Sequence, residues 1–192
     1  ALDELWERRI VREQNDSATE AYDFSHDKLR EQVYTSLSPA QRRLLHRRVA
    51  AALKTVYAED QREISGQIAA HYERAGQFTE AVPYYLQAGV AASRIYANAE
   101  ALHALERAAA LLETHASGVA RQALSWETAL SVYEALGDVF LELGKYDQTR
   151  QAYQRAMTWL PVQANLQRAR VQWKIGKAWN YDSNNPQNAN HV

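Results

Sequence analysis

Residues 130–161 have the sequence LSVYEALGDVFLELGKYDQTRQAYQRAMTWLP, and this stretch decides the fold. Its small residues Gly137 and Ala156 allow two paired helices to approach each other closely, and aromatic side chains such as Tyr153 fill the space between them. Pro161 ends the second helix because proline lacks a backbone N–H donor and clashes with the preceding turn. The stretch therefore predicts a hairpin of two packed helices.

The same pattern recurs upstream, in residues 62–95. The matching residues there are Ile68, Ala69, Tyr72, Gly76, Ala81, Tyr85 and Ala88. Gly76 and Gly144 lie 68 residues apart, which is twice the length of about 34 residues that defines the tetratricopeptide repeat (TPR). Both stretches resemble this repeat, although Thr149 stands where the family prefers alanine. The resemblance implies an all-α fold built as a right-handed TPR-like superhelix; the alternative is a helical bundle without repeat ancestry.

Composition favours the same fold class, because good helix formers dominate while the 192 residues include only 7 glycines and 4 prolines. We predict a winged-helix remnant with a small β-hairpin in residues 1–37 and a connecting helix in 38–61. The TPR-like units cover 62–182. They are 62–95, a degenerate unit 96–129 whose second helix contains Ala101, Leu105 and Ala108, then 130–163, and a truncated unit 169–182. The Asn-rich residues 183–192 are predicted to be a tail.

Within the winged-helix remnant, the pattern predicts a short helix over 1–9 and a second helix over 26–37. Two β-prone runs at 9–12 and 21–24 flank a stretch of turn-forming residues, which predicts the hairpin. In the second helix Leu29, Val33 and Leu37 are expected to face inward.

The connecting helix has a strong start signal in Ser38-Pro39-Ala40-Gln41. Ser38 is the predicted N-cap, Pro39 the first helical residue, and Gln41 the residue that closes a capping box. We predict a helix over 39–58. Its apolar face is expected from the helical spacing of Leu44, Leu45, Val49, Ala52, Leu53 and Val56.

A further resemblance starts at residues 22–31 (YDFSHDKLRE), which lead into 32–34 (QVY), 42–50 (RRLLHRRVA) and 68–72 (IAAHY). This succession resembles the C-terminal part of bacterial STAND-type signalling ATPases, in which a P-loop nucleotide-binding domain, a winged-helix domain and TPR-like sensor repeats follow one another. The resemblance implies that His26 contacts the β-phosphate of bound ADP, while Asp27 orients the imidazole or caps the following helix. Alternatively, local hydrogen bonds satisfy His26.

ATP or ADP is implied only for a longer parent protein, because the chain has no GxxxxGK[ST] phosphate loop. Since it begins at Ala1 and its one methionine is Met157, we interpret it as an excerpt. We expect no catalytic residue, no cofactor and no enzyme activity within it. The parent's NTPase domain would be an intramolecular partner.

The TPR resemblance also predicts a binding groove, because certain first-helix positions face the concave side of the array. These positions hold Glu63, Gly66, Ala70 and Glu73, then Ser131, Glu134, Asp138 and Leu141, then Arg170, Trp173, Lys177 and Asn180. The groove would be acidic in the middle and basic, with an aromatic residue, toward the C-terminal end. We expect a protein, a peptide or a small effector there. The alternative is that these residues form solvated faces or contacts to further repeats.

Several classes of function are disfavoured. A net charge of -1 and a pI near 6.7 make nucleic-acid binding unlikely for this region, and zero cysteines exclude disulfides and thiolate metal sites. The six histidines show no metal-ligand spacing. No apolar run is long enough for a membrane span, so we expect a cytoplasmic protein without membrane contact.

The leading prediction is the sensor region of a STAND-like ATPase regulator, which relays effector or partner binding to a nucleotide-dependent switch in signalling or transcription control. The first alternative is a stand-alone TPR scaffold for protein–protein interaction. The second is a DNA-contacting winged helix that uses the basic cluster at 42–48, although such a cluster usually forms a solvated face.

Overall fold

The computed structural model describes residues 2–14, 21–115 and 124–182. Within these ranges the chain has nine helices and one two-stranded antiparallel sheet, so the prediction of a mainly helical fold with a small β-hairpin is confirmed. The elements in chain order are α1 (Leu2–Glu7), β1 (Val11–Gln14), β2 (Ala21–Phe24), α2 (Asp27–Ser36), α3 (Pro39–Val56), α4 (Ser65–Arg74), α5 (Phe78–Arg94), α6 (Asn98–Thr114), α7 (Trp126–Glu142), α8 (Tyr146–Trp159) and α9 (Asn165–Tyr181). The chain divides into two compact units, residues 1–45 and 46–192.

The first unit has the predicted order of helix, hairpin and helix. β1 and β2 pair so that Val11 lies opposite Phe24 and Gln14 opposite Ala21. The residues that connect the two strands, 15–20, lie outside the described ranges.

The inward face predicted for α2 is wrong. Leu29 and Val33 are exposed and Leu37 is half-buried, and α2 contains no buried residue. The physical reason is the size of the unit: a two-stranded hairpin and a helix of 6 residues offer too little apolar surface to cover a second helix.

The capping box at the start of α3 is confirmed. The Ser38 N–H donates to Gln41 Oε1 at 2.8 Å, and the Gln41 N–H donates to Ser38 Oγ at 3.3 Å. Pro39 is the first helical residue, as predicted, because its missing N–H costs nothing at that position.

The predicted apolar face of α3 is wrong in several positions. Exposed residues of that face are Leu44, Leu45, Ala52 and Val56. His46 and Ala50 are buried instead, and Leu53 packs against the hydrophobic core. The packed face of α3 thus runs through residues 46, 50 and 53 and includes a hydrogen-bonded contact between His46 and His71 of α4, whereas hydrophobic spacing favoured Leu44 and Leu45 because it gives a histidine no weight.

The second unit is built from consecutive packed helices. α4 packs against α5, α5 against α6, α7 against α8, and α8 against α9. Their buried faces share one hydrophobic core that runs from Ala50 to Val171. The pairs α4–α5 and α7–α8 coincide with the helical hairpins predicted in residues 62–95 and 130–163.

Three of the helix–helix connections use the same turn. After α4, the Gly76 N–H donates to Glu73 O at 2.8 Å and the Gln77 N–H to Tyr72 O at 2.9 Å, which is the Schellman pattern. Gly144 repeats it after α7 and Tyr96 after α5. All three central residues have a positive φ, the backbone conformation that glycine adopts without steric cost.

The degenerate unit contains a single described helix between α5 and α7. Ala101, Leu105 and Ala108 all lie in α6 and are fully buried, so the prediction that one helix contains them is correct. α6 lies close to α5, since a Cβ at Gly89 would collide with the Leu105 side chain. Residues 116–123 and the predicted tail, 183–192, lie outside the described ranges.

Candidate functional site

In the second unit, carboxylates of one helix are held by a buried tyrosine and a cation from the helices that follow. Among the described residues, two such clusters have close hydrogen bonds, and a third, looser one joins Glu113 to Tyr133 and Arg155 at 3.5 and 3.6 Å. In the first cluster Glu73 of α4 accepts a hydrogen bond from Tyr85 Oη at 2.7 Å and another from Arg107 Nε at 3.0 Å. The hydrogen bonds from Arg107 lower the pKa of Glu73, and burial, followed by the bond to Glu73, raises that of Tyr85. Glu73, a predicted groove residue, therefore ties α4 to α5 and α6.

The second cluster repeats this arrangement on α7. Tyr153 Oη donates to Asp138 Oδ1 at 2.6 Å, and Lys174 Nζ of α9 donates to Asp138 Oδ2 at 2.8 Å. One turn earlier, Arg170 Nη2 of α9 lies 2.5 Å from Glu134 Oε2. The predicted groove residues Glu134, Asp138 and Arg170 thus lie in one cluster, in which Arg170 pairs with Glu134 and Lys174 pairs with Asp138.

An open cavity of roughly 850 Å³ lies between α4, α5 and α6, and we call it the α4–α6 groove. Its apolar lining consists mainly of small residues, which are Gly66, Ala70, Ala88, Ala91, Ala92 and Ala99. Of the four residues of this unit that the sequence predicted to face a groove, Glu63, Gly66 and Ala70 line this cavity and Glu73 does not. The volume falls in the range of about 300–1,000 Å³ that is typical of ligand pockets.

The rim of the α4–α6 groove carries charges of both signs. Arg62 is held by Asp60, with Nη2 and Oδ2 2.6 Å apart, and hydrogen bonds from Arg62 lower the pKa of Asp60 to about 2. Among the described residues, Arg94, Glu63 and Glu100 form no ion pair with one another or with other side chains. These charges are available to a bound molecule.

Two further predicted groove residues, Trp173 and Lys177, lie on the exposed side of α9. The exposed fraction of Trp173 is 64%, and Lys177 Nζ lies 5.3 Å from the centroid of its ring. Neither residue lines the α4–α6 groove.

His26 and Asp27, the predicted nucleotide contacts, lie at the start of α2. His26 is the N-cap residue, is exposed and makes no side-chain capping hydrogen bond. Asp27 forms an ion pair with Arg30, with Oδ1 and Nη2 2.9 Å apart. The local hydrogen bond that the alternative interpretation assigned to His26 is therefore absent at the helix cap, and the ADP contact stays a prediction.

Some residues of the basic cluster of α3 contact other groups of the chain, and others are exposed. Arg42 donates from Nε to Leu37 O at 3.0 Å, and His46 Nδ1 lies 2.9 Å from His71 Nδ1. Burial lowers the pKa of both histidines, and the charge of Arg74 lowers both further. Arg43, Arg47 and Arg48 are exposed, so only part of the cluster is available to phosphates.

Sequence reasoning missed the buried cation Arg150. Its guanidinium lies 2.9 Å from Asp182 Oδ2 and 4.0 Å above the Trp179 ring, and it also contacts Asp147. Asp182 lies 32 residues further along the chain, so no local sequence pattern indicates this contact between α8 and the end of α9.

Neither a metal site nor a membrane span is found in the ranges that the structure describes. No three potential ligands among histidine and carboxylate side chains come together there, and no helix combines the length and the apolar composition needed to cross a bilayer.

Comparisons with known proteins give one informative similarity. No family model and no solved structure matches the chain. An uncharacterized protein of Rhizobium meliloti (strain 1021) is 38% identical over 88 residues, which cover 46% of this chain and 9% of that protein. The matched stretch is therefore a small part of a much longer relative.

Proposed function

We propose that this chain is a non-catalytic, TPR-like interaction region that binds a protein, a peptide or a small effector in the α4–α6 groove. The observation that carries the proposal is that Glu63, Gly66 and Ala70, three predicted groove residues, line one cavity. A floor of small residues with unpaired charges at the rim suits a ligand that has an apolar body and polar ends.

The test is to fill the groove. Ala91→Trp places an indole in the cavity, while Ala110→Trp, on an exposed position of α6 that does not line it, is the matched control. Peptides from a displayed random library are selected on the wild-type protein. We expect Ala91→Trp to weaken their binding at least about tenfold, or 1.4 kcal/mol, and the control to retain it. Selection without enrichment, or binding that Ala91→Trp leaves intact, would contradict the proposal.

We further propose that this region is the sensor of a STAND-like regulatory ATPase, located in the cytoplasm, and that effector binding shifts a nucleotide-dependent switch. Two observations support this. A helix–hairpin–helix unit precedes the repeats, with His26 exposed at the end of the hairpin, and the Rhizobium protein is far longer than the matched stretch. ATP or ADP would bind to a domain outside this chain, next to His26 and Asp27.

His26→Ala in the full-length protein tests this role. Because the side chain is exposed and makes no cap bond, we expect an unchanged melting temperature, faster loss of bound ADP and higher basal activity. Unchanged ADP retention and basal activity would leave the stand-alone TPR scaffold as the better function. DNA binding that Arg47→Glu abolishes at low salt would favour the winged-helix alternative.

A further inference from the structure

The exposed side of α9 carries a continuous row of residues, which we call the α9 stripe. Its members are Leu166, Arg170, Trp173, Lys177 and Tyr181, at helical spacings of three and four residues. The apolar members are unusually open to solvent, with exposed fractions of 79% for Leu166, 64% for Trp173 and 50% for Tyr181. Exposed aromatic and aliphatic side chains in one row are typical of a helix-binding surface.

Two small residues lie beside the large ones. Ala169 and Gly176 are exposed, and a Cβ built at Gly176 would meet no atom within 4 Å. Leu166 and Trp173 are seven residues apart, as are Ala169 and Gly176, so large and small side chains alternate along a heptad seam. A second helix can place its own large side chains over the small positions.

The charges of α9 indicate the chemistry of that second helix. The sequence of α9 contains four cations and no acidic residue. Arg170 and Lys174 are held by Glu134 and Asp138, whereas Lys177 lies between two rings, 5.3 Å from the centroid of Trp173 and 5.5 Å from that of Tyr181. Its ammonium group is thus fixed on the stripe without a carboxylate partner among the described residues.

We propose that the α9 stripe is a docking site for an amphipathic helix of a partner protein that carries leucine-type residues at heptad spacing and carboxylates beside them. The apolar residues would cover Trp173 and Leu166 and fill the space over Gly176. A carboxylate would pair with Lys177. The inference rests on the proposed interaction role, since Arg170, Trp173 and Lys177 belong to the predicted partner groove, and it names the partner's chemistry.

The probe is a designed peptide of about three heptads with leucine at a and d and glutamate at e and g, titrated by fluorescence anisotropy. A second peptide with lysine in place of every glutamate is its matched control. We expect the acidic peptide to bind at least about tenfold more tightly, with an advantage that shrinks as salt is added. Equal affinity for the two peptides would overturn the proposal.

Variants of the stripe locate the site. Gly176→Trp blocks the seam, and Lys177→Glu reverses the charge at position 177. Each variant is expected to bind the acidic peptide at least about tenfold more weakly than the wild type. Gly176→Ala controls for helix propensity and should bind as the wild type does. The assignment would be overturned if the acidic peptide still bound to both disruptive variants. It would also be overturned if the protein formed concentration-dependent dimers that Gly176→Trp abolishes, or if it bound a single-stranded oligonucleotide more tightly than the peptide.

Ala91→Trp separates this inference from the proposed function. Ala91→Trp could abolish the binding of the selected peptides while Gly176→Trp leaves the affinity for the acidic peptide unchanged. In that case only the assignment of the α9 stripe fails. If selection yields no groove-binding peptide and the stripe binds no helix, both fail.

Discussion

The hairpins α4–α5 and α7–α8 have the same connecting turn and the same type of polar contact, but they differ in two residues of their first helices. In each, a glycine turn of the same hydrogen-bond pattern joins the helices. In each, a buried tyrosine donates to a carboxylate of the first helix, and a cation from the next packed helix completes the contact. The two hairpins therefore share the turn and the polar contact that connect their helices.

The difference lies at two equivalent positions, 68 residues apart in each case. Gly66 and Ala70 of α4 leave the α4–α6 groove open. The corresponding Glu134 and Asp138 of α7 pair with Arg170 and Lys174 of α9. At these two positions, the first hairpin therefore has small residues beside a cavity and the second has charged residues in ion pairs.

The largest expected effect comes from Arg150, which corresponds to Val82 in the first hairpin. Both residues are buried, but only Arg150 needs a partner. Arg150→Ala removes the buried guanidinium that pairs with Asp182 and Asp147, and we expect the free energy of unfolding to fall by about 3–5 kcal/mol. Urea denaturation followed by circular dichroism measures it.

A double variant sharpens this result. Arg150→Val with Asp182→Asn removes both charges and gives the second hairpin the valine of the first. We expect it to lose less stability than Arg150→Val alone, because the uncompensated carboxylate is gone. Equal losses in the two variants would mean that packing, and not the ion pair, stabilises this end of α9.

The next effect concerns the close approach of paired helices. A Cβ at Gly137 would collide with the Tyr153 ring, whereas one at Gly66 would lie 3.7 Å from Ala88 Cβ, an ordinary contact. We expect Gly137→Ala to cost about 1–3 kcal/mol, and Gly66→Ala to be neutral or to stabilise by about 0.5 kcal/mol, since alanine favours helices. Thermal melting of the two variants side by side checks the contrast. Similar melting temperatures would show that the second hairpin adjusts freely.

These contrasts also show which features a sequence can predict. The capping box of Ser38 and Gln41 depends on neighbouring residues only, so its sequence pattern was sufficient. The packed face of α3 contains His46, which contacts His71, 25 residues further along the chain, and hydrophobic spacing favoured the leucines instead. Sequence spacing predicted that Glu134 and Asp138 face a groove, but it could not show that they pair with Arg170 and Lys174 of α9, which lie 36 residues further along the chain.

The third prediction concerns pH and uses the histidine pair, which the second hairpin lacks. His71 corresponds to the buried Val139. Burial lowers the pKa values of His46 and His71 below 6.5, so the unfolded chain binds more protons than the native chain once the pH falls through that value. The free energy of unfolding should therefore fall as the pH drops below 6.5 and continue to fall until the lowered native pKa values are passed.

His71→Val isolates this effect. The variant loses the hydrogen bond to His46 and should be less stable at neutral pH, but its stability should depend less on pH in the same window. Urea midpoints at two pH values on either side of 6.5 give the slope. A slope that is equal in the variant and the wild type would assign the pH dependence to other groups.

The smallest expected effect concerns the third Schellman turn, in which Tyr96 occupies the position held by Gly76 and Gly144 elsewhere. Its φ is 57° and its side chain is 81% exposed, so the tyrosine adopts a left-handed conformation with little burial to offset it. Tyr96→Gly should raise the free energy of unfolding by about 1 kcal/mol, measured by urea denaturation. Tyr96→Ala keeps a Cβ at the same backbone angle and should gain much less. If the alanine variant gains as much as the glycine variant, the exposed ring and not the backbone is what costs stability. The turn after α5 would then be as relaxed as the two glycine turns, and the three connections would be equivalent in conformation and in energy.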